Sequence, residues 1–300
     1  MVKPRYLKLL KSGELKSRAD ILNKRLESCN ICPHKCKVNR LEGEKGYCNT
    51  PRQAVVSAYQ PHFGEERELV GQGGSGTIFF SNCNLECVFC QNYQISQQGR
   101  GKEVSADELS RMMLYLQRLG CHNINLVSPS HVVPQIVEGI YLAAKEGLNM
   151  PIVYNTNGYD LVETLALLEG IVDIYMPDIK FSDDDVAYEY LWVEGYFSFA
   201  KRAIKEMYRQ VGNLKLDEAG TAYTGLLIRH LVMPNNLAGT EKIMDFIARE
   251  ISKDAHVNIM AQYYPANRAY DYEHLDRRLN RREYKEAIEA ARYAGLRNFR

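Results

Sequence analysis

The sequence predicts an α/β fold: an incomplete (β/α)6 TIM-like barrel behind an N-terminal helix and a Cys-rich metal-binding extension. Three observations predict it. From Gly76 onward, apolar β-rich runs alternate strictly with helical patterns, six of each, which argues for a parallel sheet with right-handed crossovers. No doubly wound signature accompanies them, and every strand run empties into a polar cluster, as on the chemical face of such barrels. Seven of the eight cysteines lie in two tight groups, one before the first strand–helix unit and one just after its strand.

The bulk numbers set outer limits. Three hundred residues allow one large domain or two modest ones, and the composition (45% hydrophobic, 25% charged) is ordinary for a soluble globular chain. The expected division is an extension over residues 1–70 and a barrel over 71–300. A formal net charge of +1 gives no argument for a nucleic-acid partner. No apolar run approaches the roughly 18–20 residues of a membrane span, so no membrane partner is expected. The basic stretch Met1–Lys16 lacks the apolar core of a signal peptide, and the expectation is a cytoplasmic protein. Grouped cysteines in a reducing compartment suggest metal rather than disulfides.

Residues 5–27 read as a helix, with Leu15, Ala19, Leu22 and Leu26 on one face. Then come Cys29, Cys32, Cys36 and Cys48, spaced C-x2-C-x3-C-x11-C. Four thiolates satisfy either tetrahedral zinc or a second iron–sulfur cluster, and the C-x2-C pair tilts the reading to zinc. His34 reads as a solvent-facing loop residue. Residues 54–70 read as one or two short strands, with Glu65, Glu66 and Glu68 as an exposed charged run. The run Gly71–Gly76 matches G-x-G-x-x-G, but a strand follows it rather than a helix. Its glycines are expected as turn residues that let backbone approach the next loop.

The first strand, about 76–81, leads into Cys83-Asn-Leu-Glu-Cys87-Val-Phe-Cys90. Three thiolates in eight residues can hold three corners of a cuboidal iron–sulfur cluster, leaving one iron open, whereas electron-transfer clusters take four. The alternative, a structural zinc knuckle, usually uses C-x2-C pairs and four ligands. Ser105 and Glu108 form a capping box, and Leu109, Met112, Leu116 and Leu119 give that helix its apolar face. Cys121 reads as a small buried hydrophobe. A strand over 123–127 ends in Ser128-Pro-Ser-His131, with His131 expected to cap the following helix. Further strands are expected at 151–154, 172–176, 225–232 and 257–261, and helices at about 160–169, 183–211, 240–251 and 281–294.

Taken together, these motifs resemble the radical S-adenosylmethionine (SAM) proteins of the pyruvate formate-lyase activating enzyme-like group, more narrowly the PflX-type branch. The resemblance covers about residues 29–270. It rests on the three-cysteine motif, Cys29-x2-Cys32-Pro, Gly74-Ser-Gly-Thr-Ile-Phe-Phe, Asn123-Ile-Asn-Leu-Val-Ser-Pro-Ser-His, Tyr154-Asn-Thr-Asn-Gly-Tyr, Asp173-Ile-Tyr-Met-Pro-Asp-Ile-Lys and Arg229-His-Leu-Val-Met-Pro.

The resemblance implies a [4Fe–4S] cluster on Cys83, Cys87 and Cys90, with S-adenosyl-L-methionine on its open iron. It implies reductive cleavage of SAM to a 5′-deoxyadenosyl radical, which takes hydrogen from a substrate. The substrate would be a protein glycine or a small molecule, and the electron donor flavodoxin or ferredoxin. A non-catalytic iron–sulfur or zinc protein is the alternative of another class. No catalytic side chain is implied beyond the cluster ligands.

Ser128 lies where activating enzymes carry a Gly-Gly-Glu run, and the acidic residue is absent here. Asp178 and Lys180 match an Asp-x-Lys motif that helps hold SAM. Asn155, Thr156, Met176 and Asp178 resemble the positions around a monovalent cation, with Asn155 replacing an Asp. Arg229 and His230 resemble residues near SAM on the fifth strand. The plainer readings are a surface pair for Asp178 and Lys180, a turn at Asn155–Gly158 and a core histidine at 230.

Overall fold

Six parallel strands carry the fold in the computed structural model, which describes residues 3–300. They are β2 (Ser75–Phe80), β4 (Ile124–Val127), β5 (Ile152–Thr156), β6 (Ile174–Pro177), β8 (Ala222–Leu231) and β9 (His256–Met260). The remaining strands are β1 (Ala54–His62), β3 (Lys102–Val104), β7 (Lys215–Leu216) and β10 (Asn298–Phe299). The sheet order is β10-β9-β8-β6-β5-β4-β2-β1-β3, an open path, with β7 pairing β8 off it. All six expected strands form in the expected order, each parallel to its neighbour. They read as apolar runs because both faces are covered: all five residues of β5 are buried.

The helices are α1 (Tyr6–Ser12), α2 (Glu14–Lys24), α3 (Arg67–Val70), α4 (Tyr93–Ser96), α5 (Ala106–Arg118), α6 (Val133–Lys145), α7 (Val162–Leu165), α8 (Asp184–Leu191), α9 (Tyr196–Val211), α10 (Thr240–Phe246) and α11 (Arg281–Ala294). Side chains pointing outward from the sheet meet them in one large core, which includes Ile124, Leu126, Tyr154, Tyr175, Ile228 and Val257. Alternate residues face the concave side, where Val153, Ile174, Met176, Leu227 and Leu69 form a smaller cluster. Residues before 71 share the large core. Leu15, Ala19, Leu22 and Leu26 are all buried in it, and α2 packs on α6. Each such leucine contributes roughly 1.5–3 kcal/mol by leaving water. The capping box at Ser105 and Glu108 is present, and Cys121 is buried in the core.

Several local expectations need correction. The N-terminal helix is two helices, broken at Gly13, which takes φ 80°. Residues 54–70 are one strand and then the helical turn α3, which packs its Leu69 under the sheet rather than adding an edge. The apolar face of α5 uses Met113 fully and Met112 partly, and Leu119 is exposed. The glycines 71–76 lie at the opposite end of the sheet from the cysteine loop. A Cβ on Gly73 would sit 2.0 Å from Gly120 O, and one on Gly76 2.6 Å from Asn123 O. They permit close approach to the turn before β4, not to the cysteines.

Candidate active site

The loop after β2 is held by its non-cysteine residues. Leu85, Val88 and Phe89 are buried in an aromatic cluster, with the Phe89 ring edge-on to Phe181 and Tyr263. The backbone N–H groups of Glu86 and Val88 donate to Leu191 O and Tyr190 O, at 3.3 and 3.0 Å. Asn84 is fully buried; its Nδ2 donates to Tyr159 O at 2.7 Å and its Oδ1 accepts from Asn157 Nδ2 at 2.8 Å. The aromatic before the last cysteine is therefore an anchor, and it leaves the three thiols as the loop's chemical face.

Polar hydrogens reach those thiols. Cys83 Sγ lies 3.4 Å from Leu85 N and 3.3 Å from Asn157 Nδ2, and Cys90 Sγ lies 3.1 Å from Ser96 Oγ. Burial pushes the Cys83 thiol up to about 11 and raises Cys87 as well, while the Lys180 ammonium opposes both shifts. A bound metal supplies the positive charge that lets such thiols ionise. Three thiols on one loop, Cys83 with two N–H donors and Cys90 beside a hydroxyl, fit a cuboidal cluster with one open iron. Among the described residues, no three His, Cys, Asp or Glu side chains are grouped around a single-ion centre.

The ends of β5, β6 and β8 face this loop. Asp178 follows β6 and accepts from Lys180 Nζ at 2.6 Å and from Arg229 Nε at 2.9 Å. Burial alone would raise the Asp178 carboxyl; the Arg229 and Lys180 cations overcome it and hold it below the ordinary carboxylate range. Burial would likewise lower Lys180, but Asp178 and the Cys87 thiol keep it raised. Both side chains are largely buried, 17% and 14% exposed, so this is no surface pair. Arg229 Nη2 also donates to Asn155 Oδ1 at 2.7 Å. The Arg229 guanidinium thus bridges Asn155 and Asp178, two of the positions that resemble those around a monovalent cation. Ser128 adjoins this set: its N–H donates to Asn155 O at 2.9 Å, and it takes φ 59°, a left-handed conformation that is uncommon for serine.

Two expected residues point elsewhere. Thr156 Oγ1 is engaged by Asp160 Oδ2 at 2.5 Å and by Ser130 Oγ at 2.9 Å. His230 is fully buried on the helix side of β8; its ring nitrogens bond Ile179 O at 2.8 Å and Thr240 Oγ1 at 2.9 Å. Alternation along a strand requires this, because His230 must face opposite to Arg229. His131 does not cap α6. Its Nε2 bonds Ser81 O at 3.0 Å, just ahead of the cysteine loop.

Sequence reading missed four carboxylates, Glu65, Glu66, Glu68 and Asp160. Glu65, expected on an exposed strand, enters the concave face from the N-terminal end of the sheet. It accepts from Asn125 Nδ2 at 2.9 Å, Asn155 Nδ2 at 3.3 Å and Arg229 Nη1 at 3.3 Å. Glu66 beside it accepts from Asn258 of β9 at 2.8 Å and is buried, as is Glu68. Asp160 is also buried, and besides Thr156 it accepts from Tyr154 OH at 2.9 Å. Burial raises its carboxyl, and those hydroxyl donors oppose the rise. The sequence signal for Glu65 and Glu66 is an asparagine inside each of three apolar strands: Asn125 and Asn155, which meet Glu65, and Asn258, which meets Glu66.

The four N-terminal cysteines line one cavity beside this site. His34 among them is half-buried rather than solvent-facing. It stacks on Tyr47 with ring centroids 3.7 Å apart, and its Nε2 lies 2.9 Å from Asn84 O. A separate cavity, lined by Val232, Thr240, Glu283 and Ala287 on the α10–α11 side, is not part of the cysteine face.

The chain is 34% identical over 293 residues to an uncharacterised protein of Methanocaldococcus jannaschii, covering 95% of this chain and 80% of that one. It is 24% identical over 216 residues to the pyruvate formate-lyase-activating enzyme of Clostridium pasteurianum, covering 70% of this chain and 84% of the enzyme. Among solved structures, methylornithine synthase aligns at TM-score 0.50 and 14% identity, over 96% of this chain and 72% of that one. HydG, a maturase of the [FeFe]-hydrogenase, aligns at TM-score 0.50 and 12% identity, over 97% and 64%. These two likenesses speak for the fold, a partial barrel. Residues 77–247, more than half of the chain and spanning the cysteine loop and the strand ends around it, match the radical SAM superfamily, and the chain belongs to that superfamily.

Proposed function

We propose that this enzyme uses the face at Cys83, Cys87 and Cys90 to bind a [4Fe–4S] cluster and SAM, and that it is an activating-enzyme-like member of its superfamily acting on a protein glycine. One observation carries the site assignment: Asn155, Asp178, Lys180 and Arg229, from three strand ends, form one hydrogen-bonded set, and Asn157, just past the first of those ends, donates to Cys83 Sγ at 3.3 Å. When bound, the cluster and SAM supply reductive cleavage of a carbon–sulfur bond and a carbon radical that removes hydrogen from substrate.

The chain's own residues bind and orient. Asp178 is an acceptor for the SAM amino group. Lys180 and Arg229 bring positive charge to its carboxylate. Ser128, in its left-handed turn, offers backbone to the same end of the ligand, and Asn155 fixes Arg229. Thr156 and His230 act at one remove, Thr156 through Asp160 and His230 by tying β8 to Ile179. Residues 1–70 act as an extension carrying a second metal centre on Cys29, Cys32, Cys36 and Cys48. A one-electron donor of the flavodoxin or ferredoxin class is the partner such chemistry needs, and the absence of a Gly-Gly-Glu run is compatible with amino-group binding by Asp178.

The protein-glycine reading draws on the similarity to an activating enzyme. It is tested by anaerobic reconstitution with SAM and reductant in the presence of candidate protein partners. A glycyl radical doublet in the electron paramagnetic spectrum of a partner supports it. Deoxyadenosine formation stimulated only by small molecules would replace it with the small-molecule reading.

A further inference from the structure

Arg40 is a buried cation whose partners among the described residues are all neutral. It is 1% exposed, and its guanidinium donates to carbonyl oxygens: His131 O at 2.8 Å and Pro51 O at 2.8 and 3.2 Å. A buried charge is costly unless a counter-charge meets it. Arg40 lines the same cavity as Cys29, Cys32, Cys36 and Cys48. A metal held by four thiolates is a net anion, and it would supply that counter-charge. A second observation points the same way. His131 lines this cavity and is buried, and its Nδ1 has no hydrogen-bond partner among the described residues.

Two histidines then join this cavity to the catalytic loop. His34 Nε2 lies 2.9 Å from Asn84 O, and His131 Nε2 lies 3.0 Å from Ser81 O. Ser81 and Asn84 bracket Cys83, so the covalent path Cys32-Pro33-His34 needs one hydrogen bond to reach Asn84-Cys83. The outer side of the cavity is open to a donor, since Cys36 and Cys48 are partly exposed while Cys29 and Cys32 are buried. Tyr47 N also donates to Cys36 Sγ at 3.4 Å, the kind of contact that tunes iron–sulfur potentials. Zinc would balance Arg40 equally well but has no redox chemistry. A centre wired by two histidines to a reducible site is better served by iron and sulfide.

We propose that the four N-terminal cysteines hold an iron–sulfur cluster that receives one electron from a flavodoxin- or ferredoxin-class donor and passes it through His34 and Asn84 to the site at Cys83, Cys87 and Cys90. No bond forms or breaks in the transfer: the donor is oxidised by one electron, and the catalytic site is reduced by one. The inference rests on reading the four cysteines as a metal centre, and it replaces zinc with iron at that centre.

The test uses the full chain purified without oxygen. Wild type should hold about eight irons with matching sulfide, and Cys83→Ala/Cys87→Ala/Cys90→Ala about four. About one zinc in the triple variant, with four irons in wild type, would overturn the relay while leaving a second metal centre. No metal in the triple variant and only four irons in wild type would overturn both. A second variant reads the path itself. In His34→Ala with both clusters loaded, freeze-quenched paramagnetic spectra should show reduction of the catalytic site by a reduced flavodoxin slowed about tenfold, the lower end of losses on removing an outer partner of a metal site. An unchanged rate would remove His34 from the route.

Discussion

Arg229 Nε lies 2.9 Å from Asp178 Oδ1, joining the middle of one strand end to the tip of the next. The same guanidinium reaches Glu65, which enters from the opposite end of the sheet. Four charges of alternating sign, on Glu65, Arg229, Asp178 and Lys180, therefore run through the concave face to the cysteine loop. Removing one member leaves its neighbour buried and under-compensated, which is where such arrays are costly.

Glu65→Gln keeps the shape and the asparagine contacts but deletes one charge. We expect a loss of about 1–3 kcal/mol in folding stability, the range for leaving a buried polar partner unsatisfied. Urea unfolding of the metal-free protein measures it. Unchanged stability would mean that Asp178 alone balances Arg229.

Asp178→Ala and Lys180→Ala should weaken SAM binding while the cluster absorbance stays. The expected loss is about 1.5–3 kcal/mol, the range for hydrogen bonds to charged groups. That is roughly tenfold or more in affinity. Calorimetric titration of the reconstituted protein gives the answer. Wild-type affinity in both variants would reduce the pair to a structural ion pair.

His131 and His230 are both lowered to about 4, chiefly by burial. Folding therefore excludes a proton that the unfolded chain binds near pH 6.5. The stability from each neutral ring is fully present above that value and is lost as pH falls toward 4. At pH 5 the loss is about 2 kcal/mol per histidine. Urea midpoints at pH 7 and pH 5 should fall less for His230→Gln than for wild type. Equal falls would show that His230 does not titrate across this window.

The architecture was legible because it is written in repeating patterns. Strand runs buried on both faces, such as Ile152–Thr156, and the stripe Leu15, Ala19, Leu22, Leu26 each follow one local period. The cysteine loop was legible from its spacing. What stayed hidden depended on contacts between distant residues. Glu65 meets Asn155 across 90 positions and Arg229 across 164, and nothing local distinguishes it from an exposed glutamate. His34 and His131 were misplaced for the same reason: each bonds a carbonyl 50 residues away. The resemblance places His230 near SAM beside Arg229, with a core histidine as the plainer reading; strand alternation sends the two side chains to opposite faces, and His230 lies in the core.

On the proposed function, Cys83, Cys87 and Cys90 form a redox site at which SAM is cleaved. Its most direct test is 5′-deoxyadenosine formation by anaerobically reconstituted, dithionite-reduced protein, wild type against Cys87→Ala. Wild type should form 5′-deoxyadenosine slowly without substrate, and the variant should lose both the product and the oxygen-sensitive absorbance of that cluster. Cleavage by Cys87→Ala at the wild-type rate would rule out these cysteines as the site of cleavage.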